Sequence, residues 1–280
     1  MNITGGSKKH LLLLLILLCI SVISIITTII FLVLYLKEKN NSDSIEKPVY
    51  YKPNTDQYIP IIENMDMDGA EEFRGKIDIL NSKYFKAIDV YNLKSKGSLI
   101  ILEKFKTYQQ TSFYTCGCSS LIMCAYYIDG KIINESECAL KANSTQESGT
   151  LPENLEIAIT EYGYDYESKR KGFEEDEIPS YDEQKFSQYI KNSLRNNEPI
   201  IFLSNDWAGH YTVIIGYDDM GTEILEDDVV IVADPFDTSD HICDGYAIWS
   251  FERLYYQMIT EVLNIKDLNY EFIKVKKKTN

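Results

Sequence analysis

The stretch YQQTSFYTCGCSSLIMCAYYIDG, residues 108–130, holds a loop, a helix start and two cysteines one residue apart. Leu121, Ile122, Ala125 and Ile128 recur at helical spacing, and Asp129-Gly130 supplies a stop. Thr115 is placed to be the N-cap, which puts Cys116 in the first turn and Cys118 further along the same helix. A Cys-x-Cys can be half a metal site, a redox pair, a disulfide anchor or a nucleophile beside a bystander. Structural zinc takes Cys or His ligands in close pairs with gaps of about two to four residues. The second pair here would have to be His241-x-Cys243, which is tighter and has no further signature around it. A dithiol redox site favours Cys-x-x-Cys, which the chain lacks.

A nucleophile fits the local setting better. Exposed N–H groups and the dipole at a helix start favour thiolate over thiol, and a nearby imidazolium favours it further. The backbone N–H of Cys116 and the side chain of Gln110 are positioned to share a developing oxyanion, and Gly117 leaves room for a substrate. Such a thiol needs a base, and the chain has three histidines. His10 flanks a long apolar run, leaving His210 and His241. His210 opens the run HYTVIIGYD and Asp234 closes VVIVADP. Paired as a hairpin about Gly221-Thr222, these runs would set His210 directly across from Asp234, with Cβ atoms roughly 5 Å apart. A single cysteine is by default a small buried hydrophobe. Gln110, Cys116, His210 and Asp234, in this order and in these contexts, favour chemistry instead.

The 280 residues are 45 % hydrophobic, enough for one sizeable core with accessory segments. A net charge of −15 argues against nucleic acid as a partner, since that requires a basic surface. Leu11 to Leu36 is an uncharged apolar run bounded by Lys8-Lys9 and Lys37. It exceeds the roughly 20 residues needed to cross a bilayer. A secretory signal has an apolar region of about 7–15 residues and a small-x-small cleavage site, and FLVLYLKEK offers none. The expected organisation is therefore a flank over residues 1–10, an uncleaved single-pass membrane anchor over 11–36, and a polar tether with a partly ordered lead-in over 37–97. Lysines flank both ends of the anchor, so charge does not orient it. The usual outcome for a signal anchor is a short cytoplasmic N-terminus and an external domain.

Residues 98–275 are expected to form an α+β domain. SLIILEKFKTY (98–108) reads as a strand or extended approach. GTLPENLEIAITEYG (149–163) reads as a helix with Thr150 and Glu153 as a capping box, Pro152 in the first turn and Gly163 at the stop. A second helix is expected from Asp182 to Arg195 on Phe186, Tyr189, Ile190 and Leu194. The short runs PIIFLS, HYTVIIGYD, VVIVADP and GYAIW then read as an antiparallel sheet, closed by a helix on SFERLYYQM.

QQTSFYTCGCSSLIMCAYY, GTLPENLEIAITEYG, and DWAGHYTVIIGYDD followed by VVIVADPFD together resemble papain-like cysteine peptidases of the bacteriocin-processing (double-glycine leader) family. They are most similar to its stand-alone, membrane-anchored bacterial members, and the resemblance covers about residues 98–260. It implies a papain-like fold, in which a nucleophile helix packs on an antiparallel sheet. It also implies Cys116 as nucleophile, His210 as general base and acid, Asp234 as the group orienting the imidazole, and Gln110 in the oxyanion hole. The substrate would be a peptide or protein, with no cofactor and no metal. Many relatives carry Cys-Gly-Pro where this chain has Cys116-Gly117-Cys118, so Cys118 is not a required element. The ATP-binding and multi-span regions of the exporters are missing, so double-glycine specificity is not carried over.

Two other functions are compatible with the same residues. One is a phytochelatin-synthase-like acyl transferase that passes the thioester to an amine, and the other is a non-catalytic binding module on the same fold. Gln110 is taken over Gln109 on motif spacing, Trp207 is expected to pack more than to shield His210, and His241 reads as a surface or turn residue. Of the six cysteines, Cys19 lies in the anchor and five remain, an odd number that leaves at least one thiol unpaired. Cys118, Cys124, Cys138 and Cys243 can be two disulfides or four core thiols. Cys118 and Cys124 lie about 9 Å apart along one helix, too far to pair with each other.

Overall fold

The structure, a computed structural model, describes residues 5–42, 48–50, 55–260 and 271–278. The chain divides into two units, Met1–Lys47 and Pro48–Asn280. The first contains α1 (Gly5–Ser42), which extends the expected apolar run at both ends. Its segment Leu12–Lys37 is long and apolar enough to cross a membrane, as either a membrane span or a signal sequence near an N-terminus would be. Part of the expected tether (43–47 and 51–54), together with residues 1–4 of the flank, lies outside the described residues.

The second unit is α+β. Its strands are β1 (Leu99–Ile101), β2 (Tyr164–Ser168), β3 (Ile200–Ser204), β4 (His210–Asp218), β5 (Val229–Ala233), β6 (Tyr246–Ser250) and β7 (Phe272–Lys277). They form one antiparallel sheet in the order β2-β7-β3-β4-β5-β6, with β1 paired to the far end of β4. The helices are α2 (Cys116–Asp129), α3 (Glu135–Lys141), α4 (Pro152–Glu161), α5 (Glu183–Arg195) and α6 (Phe251–Ile259). Helix α2 packs mainly on β4, α5 on β4 and β1, and α6 on β3 and β6 of the same sheet. From Cys116 to Ala125 every residue of α2 is buried, so the helix is a central element rather than an amphipathic surface one. Gly130 ends it in the left-handed conformation, and Asp182 caps α5 by accepting from the Lys185 N–H at 2.8 Å.

The local chemistry departs from the sequence expectation in several places. The capping box at Thr150 does not form. Leu151 occupies the N-cap of α4, and the Thr150 hydroxyl instead meets Ser144 Oγ at 2.7 Å. Thr115 stands at the N-cap of α2, but its hydroxyl is turned to Ser112 O and Glu135 and accepts from no helix N–H. Two strands and one helix were not anticipated. YDYES (β2) and FIKVKK (β7) are too polar to read as sheet, yet β7 lies between β2 and β3. Lys274 and Lys276 are accommodated there by Glu167 at 3.0 and 2.6 Å, and Lys274 also reaches Glu198 at 3.3 Å. Helix α3 is announced by Asn134, whose side chain accepts from the N–H groups of Ser136 and Glu137. Residues 55–92 form short turns that bury Ile59, Ala70 and Val90 in the same unit.

Candidate active site

Cys116 begins α2 and is 7 % exposed. The next residue has to be glycine for a reason other than substrate access: a Cβ on Gly117 would lie 2.9 Å from the Cβ of Thr150, so the space beside it is already filled. Gly117 therefore lets the loop before α4 close onto the helix start.

His210 opens β4, and its Nε2 lies 2.7 Å from Oδ1 of Asp234. The expected hairpin register is wrong, however. Val213 faces Ala233 and Tyr217 faces Val230, with Ile215 left over at a bulge, so Asp234 sits diagonally from His210 and not opposite it. The connection after β4 is also long and asymmetric, with a helical turn at Leu225–Asp227. Diagonal neighbours are within reach of long side chains, and the carboxylate is steered by its own loop. Asp234 Oδ1 accepts from the Phe236 N–H at 2.8 Å, and the Asp234 N–H donates to Gly245 O at 2.9 Å. Burial works against a charged His210, but the Asp234 carboxylate beside it, and secondarily the Cys116 thiol, push the imidazole up to about 10. With Nε2 taken by Asp234, Nδ1 is the nitrogen left for the thiol.

The two adjacent glutamines have separate surroundings. Gln109 Nε2 donates to Asp234 O at 2.7 Å, while its Oε1 accepts from the Asp237 N–H at 3.2 Å and from Cys243 Sγ at 3.4 Å. It braces the loop that carries Asp234. Gln110 lines a cleft of 710 Å³ together with Cys116 and His210. Its Nε2 donates to Ser112 O at 2.8 Å, and its Oε1 has no hydrogen-bond partner among the described residues.

Aromatic side chains wall the cleft: Phe113, Tyr114, Trp207 and Phe236. Trp207 is 60 % exposed and its ring lies 4.9 Å from both His210 and Phe236. It covers the imidazole rather than packing into the core, and it does so from a left-handed backbone, φ 50 and ψ 37. Residues 65–71 close the site from behind. Asp66 Oδ2 accepts from Ser112 Oγ at 2.7 Å, Asp68 Oδ1 accepts from the Phe113 N–H at 2.9 Å, and the Glu71 N–H donates to Gln110 O at 3.3 Å. These supports were invisible in the sequence, because a polar lead-in gives no periodic signal.

The remaining candidates lie elsewhere. His241 Nδ1 meets Ser82 Oγ at 2.9 Å and its ring stands edge-on to Phe85. Cys118, Cys124, Cys138 and Cys243 are free and buried, and Cys138 Sγ lies 4.0 Å from the Cys118 carbonyl. Burial pushes the Cys124 and Cys243 thiols up, which keeps them protonated. Among the described residues, no group of three or more His, Cys, Asp or Glu is placed to hold a metal ion. A thiol at a helix start, an imidazole held by a carboxylate and a buried amide at the same cleft can together support attack on a carbonyl.

A search of curated proteins finds no match. Among solved structures, a C39-like peptidase from Bacillus anthracis is 15 % identical over 66 % of this chain and 100 % of its own, with a TM-score of 0.41. The peptidase domain of Streptococcus ComA, a bi-functional ABC transporter involved in quorum sensing, is also 15 % identical, over 62 % of this chain and 99 % of that one, TM-score 0.40. A double glycine motif protease from an AMS/PCAT transporter, solved with its leader peptide, is 15 % identical over 62 % and 91 %, TM-score 0.38. Residues 102–263 match the family described as Peptidase_C39 like family. That match spans more than half of the sequence, and the chain belongs to the Peptidase_C39-like family, with its α+β, papain-like fold.

Proposed function

We propose that the protein is a membrane-anchored cysteine peptidase that hydrolyses peptide bonds through Cys116, His210 and Asp234, with Gln110 as an oxyanion donor. The observation that carries this reading is the 2.7 Å contact between His210 and Asp234 at a cleft shared with Cys116. The proton shared by Cys116 and His210 rests on the imidazole, and the thiolate attacks the scissile carbonyl. Negative charge gathers on the carbonyl oxygen, facing the Cys116 N–H and Gln110. The C–N bond breaks as His210 returns the proton to the departing amine, leaving a thioester. Water, deprotonated by His210, then hydrolyses the thioester and frees Cys116. Asp234 holds the ring in the tautomer this requires. Residues 11–36, within α1, would hold the enzyme at the membrane with its domain outside the cell.

The test is trapping with a peptidyl electrophile, read by intact mass. Wild type and Cys118→Ala should form one adduct, and Cys116→Ala none. Loss of the adduct in Cys118→Ala alone would overturn the assignment. Adding an amine acceptor to a turnover assay separates hydrolysis from acyl transfer, since only the latter yields an amide product.

A further inference from the structure

The loop from Tyr108 to Thr115 contains no helix or strand, yet one of the proposed oxyanion donors lies on it and the other follows it directly. One side chain holds both ends. Glu135, the first residue of α3, is 2 % exposed. Its Oε2 accepts from Tyr108 Oη at 2.9 Å, Thr111 Oγ1 at 2.8 Å and the Thr111 N–H at 3.2 Å. Its Oε1 accepts from the Thr111 N–H at 3.1 Å and from Thr115 Oγ1. Thr111 follows Gln110 and Thr115 precedes Cys116, so the two gripped positions adjoin the two donors. No Lys or Arg pairs with Glu135 among the described residues. A buried carboxylate without a cation is costly, and here it is matched only by hydrogen bonds from the loop.

We propose that Glu135 is a positioning residue for catalysis: it fixes the spacing between Gln110 and the Cys116 N–H, and so the shape of the oxyanion hole. The choice of residue follows from its acceptors. A carboxylate offers about four lone-pair sites and donates nothing, whereas a glutamine amide would turn half of that surface into donors. Hydroxyls at 108, 111 and 115 can rotate to adapt, but the Thr111 N–H cannot, so an amide would push the loop away at the residue after Gln110. Burial raises the Glu135 pKa, while the hydrogen bonds from Thr115, Thr111 and Tyr108 hold it down. The His210–Asp234 pair lies on β4 and just beyond β5, and Glu135 touches neither residue.

This rests on the peptidase reading above, and it separates two kinds of reactivity. Alkylation of Cys116 by iodoacetamide needs the thiolate alone. A peptide aldehyde needs the oxyanion hole as well, because the thiol adds across its carbonyl and the new C–O oxygen takes the oxyanion position. For the full-length protein in detergent, Glu135→Gln should lower kcat by about 10- to 100-fold with KM near wild type, and weaken the aldehyde by a similar factor. Cys116 alkylation should stay within about twofold. Gln110→Ala combined with Glu135→Gln should cost little more than Gln110→Ala alone, because both act through one hole. If Glu135→Gln does not fold, Tyr108→Phe removes one of the hydrogen bonds and should show the same split, a several-fold loss in kcat with unchanged alkylation. Equal losses of turnover, aldehyde binding and alkylation would reduce Glu135 to a structural role, and no loss in any of them would exclude it. A wild-type protein that alkylates but binds no aldehyde overturns the peptidase reading and this inference with it.

Discussion

His210 Nε2 and Asp234 Oδ1 are 2.7 Å apart although the two residues are not partners in the β4–β5 ladder. The contact is made across a diagonal, and Asp234 stands just past the end of β5, where the ladder no longer dictates its direction. Its aim is set by the Phe236 N–H and by Gln109. The orientation of the imidazole therefore depends on a loop, and the groups that hold that loop matter as much as the strand register.

Asp234→Asn should keep the fold and lose most of the activity, with kcat down by about 10²–10⁴ because the ring is no longer held in its working tautomer. The pH dependence carries a sharper signature. His210 rises from 6.5 to about 10 in the folded protein, so folded protein holds this proton more tightly than unfolded chain does. Its stabilising contribution is complete below about 6.5 and fades as the pH rises through about 10. Urea unfolding should find wild type more stable than Asp234→Asn at neutral pH, with the gap closing above pH 10. The alkaline limb of kcat/KM should lie near 10 in wild type, and a limb near 6.5 would contradict the pairing.

Trp207→Gly should trade activity for stability. A non-glycine residue in the left-handed region costs roughly 1 kcal/mol, and Trp207 sits there at φ 50. Glycine relieves that strain, and little burial is lost because the indole is 60 % exposed. The ring 4.9 Å from His210 would be gone, admitting water to the His210–Asp234 pair and weakening their attraction. Tm should hold or rise, while kcat/KM falls and its alkaline limb moves down from about 10. A lower Tm with an unmoved limb would mean that Trp207 only packs.

Two glycines of the lead-in should behave differently. A Cβ on Gly69 would lie 2.1 Å from Gln110 O, with no room to yield. Gly69→Ala should cost about 1–3 kcal/mol and also lower kcat, since the displaced backbone is that of Gln110. Gly75 has open space around its Cβ direction but φ +75. Gly75→Ala should cost about 1 kcal/mol and leave kcat unchanged. Both lie before residue 102, outside the family match, so a kinetic effect at Gly69 would make the lead-in part of the catalytic architecture.

The strongest sequence signals were local ones. The start of α2 at Cys116, its stop at Gly130, the capped α5 and the strands β3 to β6 each followed from a short pattern of apolar spacing and turn residues. Long-range geometry was not encoded that way. The bulge at Ile215 and the turn at Leu225–Asp227 shift the hairpin register, and neither has a compositional mark. Charge pairing hid β7, whose lysines look like a tail until Glu167 and Glu198 are brought beside them by the fold. Around the candidate site, cysteine, histidine and aspartate contexts were readable, but the duties of Gln109, Glu135 and Gly69 arise only from contacts between segments distant in sequence.

Neighbouring glutamines offer the clearest separation of chemistry from scaffolding. Gln110→Ala removes a buried amide at the cleft whose Nε2 donates to Ser112 O at 2.8 Å and whose Oε1 has no partner among the described residues, so it costs about 1 kcal/mol of folding energy. Its kcat should fall by about 10²–10³, as for loss of an oxyanion donor, with a smaller loss of Tm than in Gln109→Ala. Gln109→Ala removes one hydrogen bond to the Asp234 carbonyl and two from Asp237 and Cys243, all buried. It should destabilise by about 2–4 kcal/mol, since buried groups lose their partners. It should also lower the alkaline limb of kcat/KM, because Asp234 is freed to drift from His210. Denaturant unfolding and pH-rate profiles on both variants decide the matter. The opposite pattern, an intact kcat in Gln110→Ala and a purely kinetic lesion in Gln109→Ala, would exchange the two roles and move the oxyanion donor one residue upstream.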